Sequence, residues 1–313
     1  MSAVLTFLRA HTIYALILLL AVFVVGVELV RPGTVTPLWA SNTLQFAAPL
    51  AIMGAGQTMV MLTGGIDLSV ASVATGAAYL LATNASLGAV PAIGLALLLG
   101  AVVGIVNGIG VALLRVQPLV MTLGAGLMTG GVMIVYSQHM MASEPHVPAI
   151  IQTLGAGKVL GLVPVDLFLW LVIAALILFG LQRTGFGRLL YAVGDNREAC
   201  HLAGVRVWRV LFANYLICAI LAAITGLVLV GGTNAADLSL ADSYLLPSVA
   251  CVVIGGTSIF GGRGGYSGTI VGALILTVLT GLLTLLDVSE PIKQILYGAI
   301  ILSLAAAYAR LTE

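Results

Sequence analysis

Ten apolar segments, separated by short breaks that hold charge, glycine or proline, constrain this chain more than any other feature. A helix that crosses the hydrocarbon core of a bilayer needs about 20 mostly apolar residues, because its backbone polar groups must pair within the helix. The segments lie near residues 12–30, 42–62, 69–84, 90–114, 119–136, 164–181, 208–230, 245–260, 268–286 and 291–308. They predict an all-α, polytopic helical membrane protein with about ten transmembrane helices, organised as a single transmembrane domain over residues 1–313.

The composition agrees with a membrane protein that contacts lipid. Of the 313 residues, 61% are hydrophobic and 7% are charged, whereas a soluble domain has about 25% charged residues. The net charge of +1 and the lack of basic patches argue against binding to nucleic acid. The only lysines, Lys158 and Lys293, lie in no Walker A motif, so we expect no ATP site and no other cofactor in this chain.

The basic residues predict the orientation of the chain, since positively charged residues are retained on the cytoplasmic side. With ten spans and the N-terminus inside, Arg31, Lys158 and Lys293 lie outside, and the other nine of the 12 basic residues lie inside. Both termini are therefore predicted to be cytoplasmic.

The arginine-rich cytoplasmic loop over residues 183–207 contains a predicted short helix. Asp195 is a favourable N-cap, and Glu198 stands three residues later in the capping-box position. Gly204 can end the helix in a left-handed conformation. One face of the helix holds two small side chains: Ala199 and Ala203. Because a helix of about two turns is marginal in water, we expect this face to pack against a partner.

Four segments of the chain resemble one family of transport proteins. The first is the loop just described, with Asn196, Ala199, Leu202, Gly204 and Val205 at the family's offsets. The others are residues 63–72, residues 255–272, and the set 107–108, 117–118 and 122–124. On these motifs the chain is identified as a member of the permease subunits of bacterial sugar ABC importers of the ribose/xylose/galactose type. Ala71 and Cys200 depart from the family, which usually has glycine and alanine there.

The resemblance implies a function and a set of partners. The chain would translocate a sugar, a monosaccharide, across the bacterial cytoplasmic (inner) membrane, without being an enzyme. Separate cytoplasmic ATPase subunits would bind ATP and drive the transport, and an extracytoplasmic sugar-binding protein would deliver the substrate. The permease would pair with a second copy or with a sister permease. The residues expected to couple to the ATPase are Asp195, Asn196, Arg197, Glu198, Ala199, Ala203 and Gly204.

Six polar residues in or near the apolar segments are candidates for the translocation path or its gate: Gln57, Asp67, Ser69, Asn107, Thr122 and Thr257. An ionisable group within a membrane is costly and often functional, which makes Asp67 a candidate gate at the inner mouth. Asp67 can instead cap the third helix, where its charge meets the helix N-terminus and water at the cytoplasmic interface. The uncharged members can hydrogen-bond a passing polyol or hold helices together.

Three other functions stay open on the sequence alone. A related importer would carry branched-chain amino acids or another small polar solute. A secondary transporter driven by an ion gradient usually needs membrane-embedded carboxylates or broken-helix ion sites, whereas nearly every charge here can be assigned to an interface. A membrane-embedded enzyme would need a nucleophile–base pair or a metal cluster, and the apolar segments contain neither pattern.

Overall fold

The computed structural model describes residues 12–139 and 146–312 as a bundle of helices. The helices in chain order are α1 (Thr12–Val30), α2 (Pro37–Leu62), α3 (Val70–Thr83), α4 (Ala89–Ala112), α5 (Pro118–His139), α6 (Ala149–Ala156), α7 (Val165–Arg183), α8 (Gly185–Asp195), α9 (Arg197–Leu202), α10 (Val207–Thr233), α11 (Leu245–Ile254), α12 (Tyr266–Leu285) and α13 (Glu290–Thr312). Two-residue strands β1 (Lys158–Val159) and β2 (Val163–Pro164) pair antiparallel, so the described part is helical apart from this small hairpin.

Seven of the described helices are long and apolar enough to cross a membrane, namely α1, α2, α4, α5, α7, α10 and α12. Each of the ten predicted apolar segments does form a helix. Three of the ten helices are not among the seven: α3, which has 14 residues, α11, which has 10, and α13. At 1.5 Å per residue α3 and α11 are about 21 Å and about 15 Å long, shorter than the ~30 Å hydrocarbon core. The prediction is therefore confirmed for the helical class and not for the number of spans.

Helix α10 lies at the centre of the bundle, where it packs against α2, α3 and α4. Glycines of α4 permit this close approach. A Cβ atom at Gly100 would lie 2.8 Å from the carbonyl oxygen of Ala219, and one at Gly104 would lie 2.8 Å from Cα of Leu216. Small residues of this kind let membrane helices pack where lipid is as apolar as the side chains.

The outward faces of α5 and α7 carry large apolar side chains that no other described element covers. Leu127 and Met128 of α5 are each 70% exposed, and Phe179 of α7 is 63% exposed. Such a surface would promote aggregation in water. In a membrane it is the surface that is expected to contact the lipid acyl chains.

The breaks between helices at one end of the bundle position the candidate site. At this end α2 ends and α3 begins, α4 ends and α5 begins, and α8 and α9 lead into α10. We call it the junction end, and we call the end at which α2 begins and α12 ends the opposite end.

Candidate coupling junction

Three breaks in the helical structure meet at the junction end. They are the α2–α3 break (residues 63–69), the α8–α9 elbow (residues 191–197) and the glycine turn between α11 and α12 (residues 255–265), and together we call them the three-way junction. The backbone N–H of Gly262 donates to the carbonyl of Leu62 at 3.0 Å, and the Arg197 guanidinium donates to the carbonyl of Thr63 at 2.5 Å. The three motifs that are far apart in the sequence therefore form one contact region.

A tyrosine joins the elbow to the glycine turn directly. The Tyr191 hydroxyl donates to the carbonyl of Gly264 at 3.0 Å. Burial raises the pKa of the Tyr191 phenol above its usual value, so this hydroxyl stays protonated and available as a donor. The elbow is thus tied both to the α2–α3 break and to the turn.

Glycine is required where the three backbones approach one another. A Cβ atom at Gly194 would lie 1.8 Å from the carbonyl oxygen of Leu62 and 2.6 Å from the backbone nitrogen of Gly262. Gly261 and Gly262 also have φ of +92° and +72°, a region that favours glycine. The junction therefore depends on close backbone-to-backbone contact as well as on the Arg197 and Tyr191 side chains.

Helix α9, the predicted coupling helix, is capped at both ends. The Asn196 side chain accepts from the backbone N–H of Ala199 at 2.9 Å, which makes Asn196 the N-cap. At the other end Gly204 has φ of +80°, its N–H donates to the carbonyl of His201, and the Val205 N–H donates to that of Cys200. These are the two bonds of a Schellman motif, so the predicted role of Gly204 is confirmed.

The predicted capping residue of α9 is wrong by one position. Asp195 is the last residue of α8, because the Asn196 N–H still donates to the carbonyl of Ala192. With Asn196 as the N-cap, Glu198 stands one residue too early for a capping box. Glu198 is instead an exposed acidic side chain in the first turn of α9, where its negative charge interacts favourably with the positive end of the helix dipole.

We expect Asn196→Ala to destabilise α9 by about 1 kcal/mol, because it removes the side-chain acceptor of the Ala199 N–H at this helix start. The amide protons of residues 197–204 should then exchange about fivefold faster in hydrogen–deuterium exchange of the detergent-purified protein. Asn196→Asp keeps a good capping oxygen and is the matched control. Equal exchange in the alanine variant and the native protein would contradict the assigned cap.

The predicted coupling residues form one exposed surface. Asp195, Asn196, Arg197, Glu198, Ala199, Ala203 and Gly204 are all exposed. Leu202 adds an apolar side chain that is 80% exposed, whereas Cys200 is buried. The cysteine that departs from the resembled family therefore faces the bundle and not the exposed surface.

A polar cavity of about 860 Å³ lies beside α9 at the junction end. Three arginines line it, Arg115 from the α4–α5 turn, Arg197 from α9 and Arg206 from the start of α10, together with His201 and the single acidic residue Glu198. The excess of positive charge gives this surface a preference for acidic groups.

Five of the six path or gate candidates form a single buried network next to the junction. The Gln57 side-chain amide pairs with the backbone of Asp67, donating to its carbonyl at 2.8 Å and accepting from its N–H at 3.2 Å. One carboxylate oxygen of Asp67, Oδ1, accepts from the N–H of Ser69 at 2.9 Å and from its hydroxyl at 2.6 Å. Asn107 donates to the Ser69 hydroxyl oxygen at 2.9 Å. The network thus links α2, the break and α4.

Thr122 completes the network from α5. Its hydroxyl oxygen accepts from the N–H of Leu68 at 3.0 Å, and it lies 3.2 Å from the carbonyl oxygen of Ile66. Thr257 lies apart from the other five candidates, in the glycine turn, where its hydroxyl oxygen accepts from the Gly265 N–H at 3.2 Å. All six candidates are buried, and none lines the polar cavity beside α9.

The network is incompletely paired around Asp67. Its second carboxylate oxygen, Oδ2, is buried without a hydrogen-bond partner among the described residues, as are Oδ1 of Asn107 and the hydroxyl of Tyr215. Tyr215 and Cys218 of α10 both lie close enough to Asp67 to interact with it electrostatically. Unpaired buried polar groups are costly and rare in native proteins, so each of them calls for an explanation such as strain, a functional role or a bound water.

Asp67 does not lie at a water interface, which corrects one of its two predicted roles. The residue is 0% exposed, because α4, α5 and α10 cover the break. Its carboxylate does bond the start of α3, but through the N–H of Ser69 and without solvent.

A second buried carboxylate, Asp166 at the start of α7, is 1% exposed with both oxygens unpaired in the described part of the chain. Asp67 and Asp166 are therefore buried within the protein, which the assignment of nearly every charge to an interface does not anticipate.

The fold defines the class of protein. The chain is a multi-pass helical membrane protein in which breaks between helices assemble one junction beside the exposed surface of α9. Within residues 12–139 and 146–312, no group of three or more His, Cys, Asp or Glu side chains is placed to hold a metal ion.

Comparison with known proteins gives the family. Residues 39–305 match the family model described as branched-chain amino acid transport system / permease component, and the chain belongs to this family. It is 35% identical over 299 residues to a ribose import permease of Escherichia coli strain K12, covering 94% of this chain and 92% of the relative. It is 33% identical over 267 residues to a fructose import permease of Rhizobium meliloti, covering 83% and 74%.

A ribose import permease of Bacillus subtilis strain 168 is 33% identical over 287 residues, covering 90% of this chain and 88% of the relative. No solved structure matches the chain significantly. The chain is therefore the permease of an ABC importer and not an enzyme, which confirms the resemblance drawn from the motifs.

Proposed function

We propose that the chain is the permease subunit that carries a sugar, a monosaccharide, across the bacterial cytoplasmic membrane, with ATP hydrolysed by separate subunits. The sugar cargo is supported by the relatives, which are described as ribose and fructose import permeases. The observation that supports coupling to an ATPase is the direct contact of the exposed α9 segment with the α2–α3 break. The chain itself binds no cofactor, and an extracytoplasmic sugar-binding protein delivers the substrate.

The three-way junction supplies a route from the ATPase to the transmembrane helices. Closure of the paired ATPase subunits would displace α9, and the Arg197 bond to the Thr63 carbonyl would carry that displacement into the break. The break is continuous with Asp67 and hence with Asn107 and Thr122 on two further helices. The polar network thus lies where a small shift at the coupling surface reaches α2, α4 and α5 together.

The candidate polar residues take different roles in this proposal. Four of these residues hold the break in one conformation. Gln57 and Ser69 bond Asp67, Asn107 bonds Ser69, and Thr122 bonds the backbone of the two neighbours of Asp67. Thr257 holds the glycine turn. We assign these residues to the gate of the path rather than to contact with sugar.

The ATPase docks on the junction end, which is cytoplasmic in this proposal because the arginine-rich residues 183–207 lie there. The three arginines around the cavity beside α9 favour an acidic patch on the partner. The importer functions as a pair of permeases, either two copies of this chain or this chain with a sister.

We expect Arg206→Glu to weaken association with the ATPase at least about tenfold, or about 1.4 kcal/mol, because it places an acidic group opposite the acidic partner surface. The measurement is the amount of ATPase retained by the tagged permease as salt is varied. Arg31→Glu makes the same charge change at an exposed residue at the opposite end and should leave retention unchanged. Equal retention by both variants would contradict the docking surface.

The proposed function is tested by purifying the tagged chain in mild detergent, identifying what co-purifies by mass spectrometry and reconstituting the complex in liposomes. A co-purifying ATPase with a Walker A motif and ATP-dependent uptake of D-ribose or D-fructose support it. A chain that purifies alone and transports with an ion gradient but no ATP is a secondary transporter. Uptake of L-leucine and not of sugar establishes the branched-chain amino acid alternative.

A further inference from the structure

A second cavity, of about 470 Å³, lies at the opposite end of the bundle between α2, α11, α12 and α13. This volume falls in the range of about 300–1,000 Å³ that is typical of small-molecule sites. Four aromatic rings line it, Trp39, Phe46, Tyr244 and Tyr297. The tryptophan and the two tyrosines offer an apolar face and a polar edge in one side chain. The cavity extends as far as Leu50, halfway along α2. It is therefore separate from the junction, which begins where α2 ends.

One wall of this cavity is a row of hydroxyl groups on α12 that act as acceptors. Thr277, Thr280 and Thr284 share a helical face, and their hydroxyls donate to backbone carbonyls four residues earlier, at 2.9, 2.7 and 2.8 Å. A hydroxyl has one proton and two lone pairs, so each oxygen keeps acceptor capacity. Tyr297 lies 2.6 Å from the Thr280 oxygen, and Lys293 donates to that of Thr284 at 2.9 Å. At least one lone pair of each threonine therefore remains for a ligand.

The cavity has little net charge. Glu290 is the single charged side chain among the described residues that line it. Lys293, which is almost fully buried, lies 3.2 Å from Glu290 Oε2 and offsets this charge. No Arg, Lys or His is among the described residues that line the cavity. Lys293, behind the wall, is already bonded to Glu290 and Thr284, so the lining offers no free cation to a ligand carboxylate or phosphate.

We propose that this cavity is an entry subsite for a neutral polyol, with the ring faces against the apolar side of the sugar and the α12 hydroxyls accepting from its O–H groups. The inference rests on the proposed function and deepens it, because the chain's own residues then select the class of cargo. A neutral sugar supplies many O–H donors and no charge. An amino acid would need a free cationic partner for its carboxylate, whereas Lys293 behind the wall is already bonded to Glu290 and Thr284.

The test is protection of an introduced cysteine from a water-soluble methanethiosulfonate reagent in the full importer complex. Native Cys200, Cys218 and Cys251 are buried, so background labelling is low. Thr277→Cys places a thiol in the cavity, and Ala235→Cys places one at an exposed position of the same end outside the cavity. Ser243→Cys is a second cavity position in an exposed turn, for the case that Thr277→Cys does not fold.

A transport subsite has to release its ligand, so weak binding with a Kd of about 1 mM is expected. D-ribose or D-fructose at about 10 mM should then slow labelling in the cavity about tenfold. Labelling of Ala235→Cys should not change, and L-leucine at the same concentration should have no effect on either position.

Three results would overturn the subsite. If neither sugar protects either cavity cysteine while the complex still imports sugar, the polyol subsite is wrong and the proposed function stands. If the cavity thiols resist labelling with and without sugar, the cavity is filled by lipid or by a second permease. If L-leucine protects and the sugars do not, both the subsite and the sugar cargo are wrong.

Discussion

Replacing Gly194 with alanine should remove most of the folded protein. The added Cβ atom would lie 1.8 Å from the Leu62 carbonyl oxygen and 2.6 Å from the Gly262 nitrogen. Both neighbours are backbone atoms, so no side-chain rotamer relieves the clash and two segments of chain must move apart. Overpacking typically costs about 1–3 kcal/mol and sometimes more, and here we expect a loss of at least about 3 kcal/mol. The measurement is the monodisperse fraction in detergent together with its thermal midpoint.

Gly180→Ala is the matched control for this substitution. Gly180 lies in α7, just before α8, and a Cβ atom there meets nothing within 4 Å. Alanine also favours a helix interior over glycine by up to about 1 kcal/mol, so this variant should melt at or above the native temperature. A Gly194→Ala protein with native melting and native transport would mean that the elbow does not pack on the end of α2.

Local sequence signals predicted the end of α9 but not its start. A positive φ at residue 204 requires glycine, and glycine stands there. At the start, Asp195 and Asn196 are adjacent and both are good N-cap residues, so the pattern alone does not choose between them. The choice is made by distant contacts, because Gly194 packs on Leu62 and Arg197 bonds Thr63. These contacts keep residue 195 in α8.

Each motif is recognisable in the sequence by itself, whereas the contacts among the motifs depend on the whole fold. Nothing local in residues 63–72 indicates contact with residues 191–197 or with the glycine turn. The same limit explains Asp67, whose local sequence of two glycines before it and a serine after it fits a cap in water. Its burial results from α4, α5 and α10, which come from other parts of the chain.

Hydropathy predicted where helices occur and not how many of them span a membrane. The segments near 69–84 and 245–260 are apolar enough to be read as spans, but their helices end after 14 and 10 residues. The second segment ends early because residues 255–265 form the glycine turn of the junction. The breaks that shorten these helices are therefore the same elements that build the candidate site.

Replacing Asp67 with leucine should destabilise the protein strongly, while Asp67→Asn should be tolerated. Leucine removes the acceptor of two bonds, from the Ser69 N–H and the Ser69 hydroxyl. Each buried donor left unpaired costs about 1–3 kcal/mol. Asparagine keeps one carbonyl oxygen for both bonds and removes a carboxylate whose second oxygen has no partner among the described residues. The thermal midpoint in detergent should fall below the native value for the leucine variant. For the asparagine variant it should equal or exceed the native value.

Transport per folded molecule then separates the two roles of this carboxylate. If Asp67 acts by fixing the α2–α3 break, Asp67→Asn should import sugar at the native rate, since the Gln57 pair and both Ser69 bonds remain. We expect this outcome, because the four hydrogen bonds that Gln57 and Ser69 make with Asp67 involve only its backbone and a single carboxylate oxygen. Normal abundance with altered transport would show that the negative charge itself is needed during opening. The unpaired oxygen beside Tyr215 and Cys218 would then be the part of the network that changes partner as the gate moves.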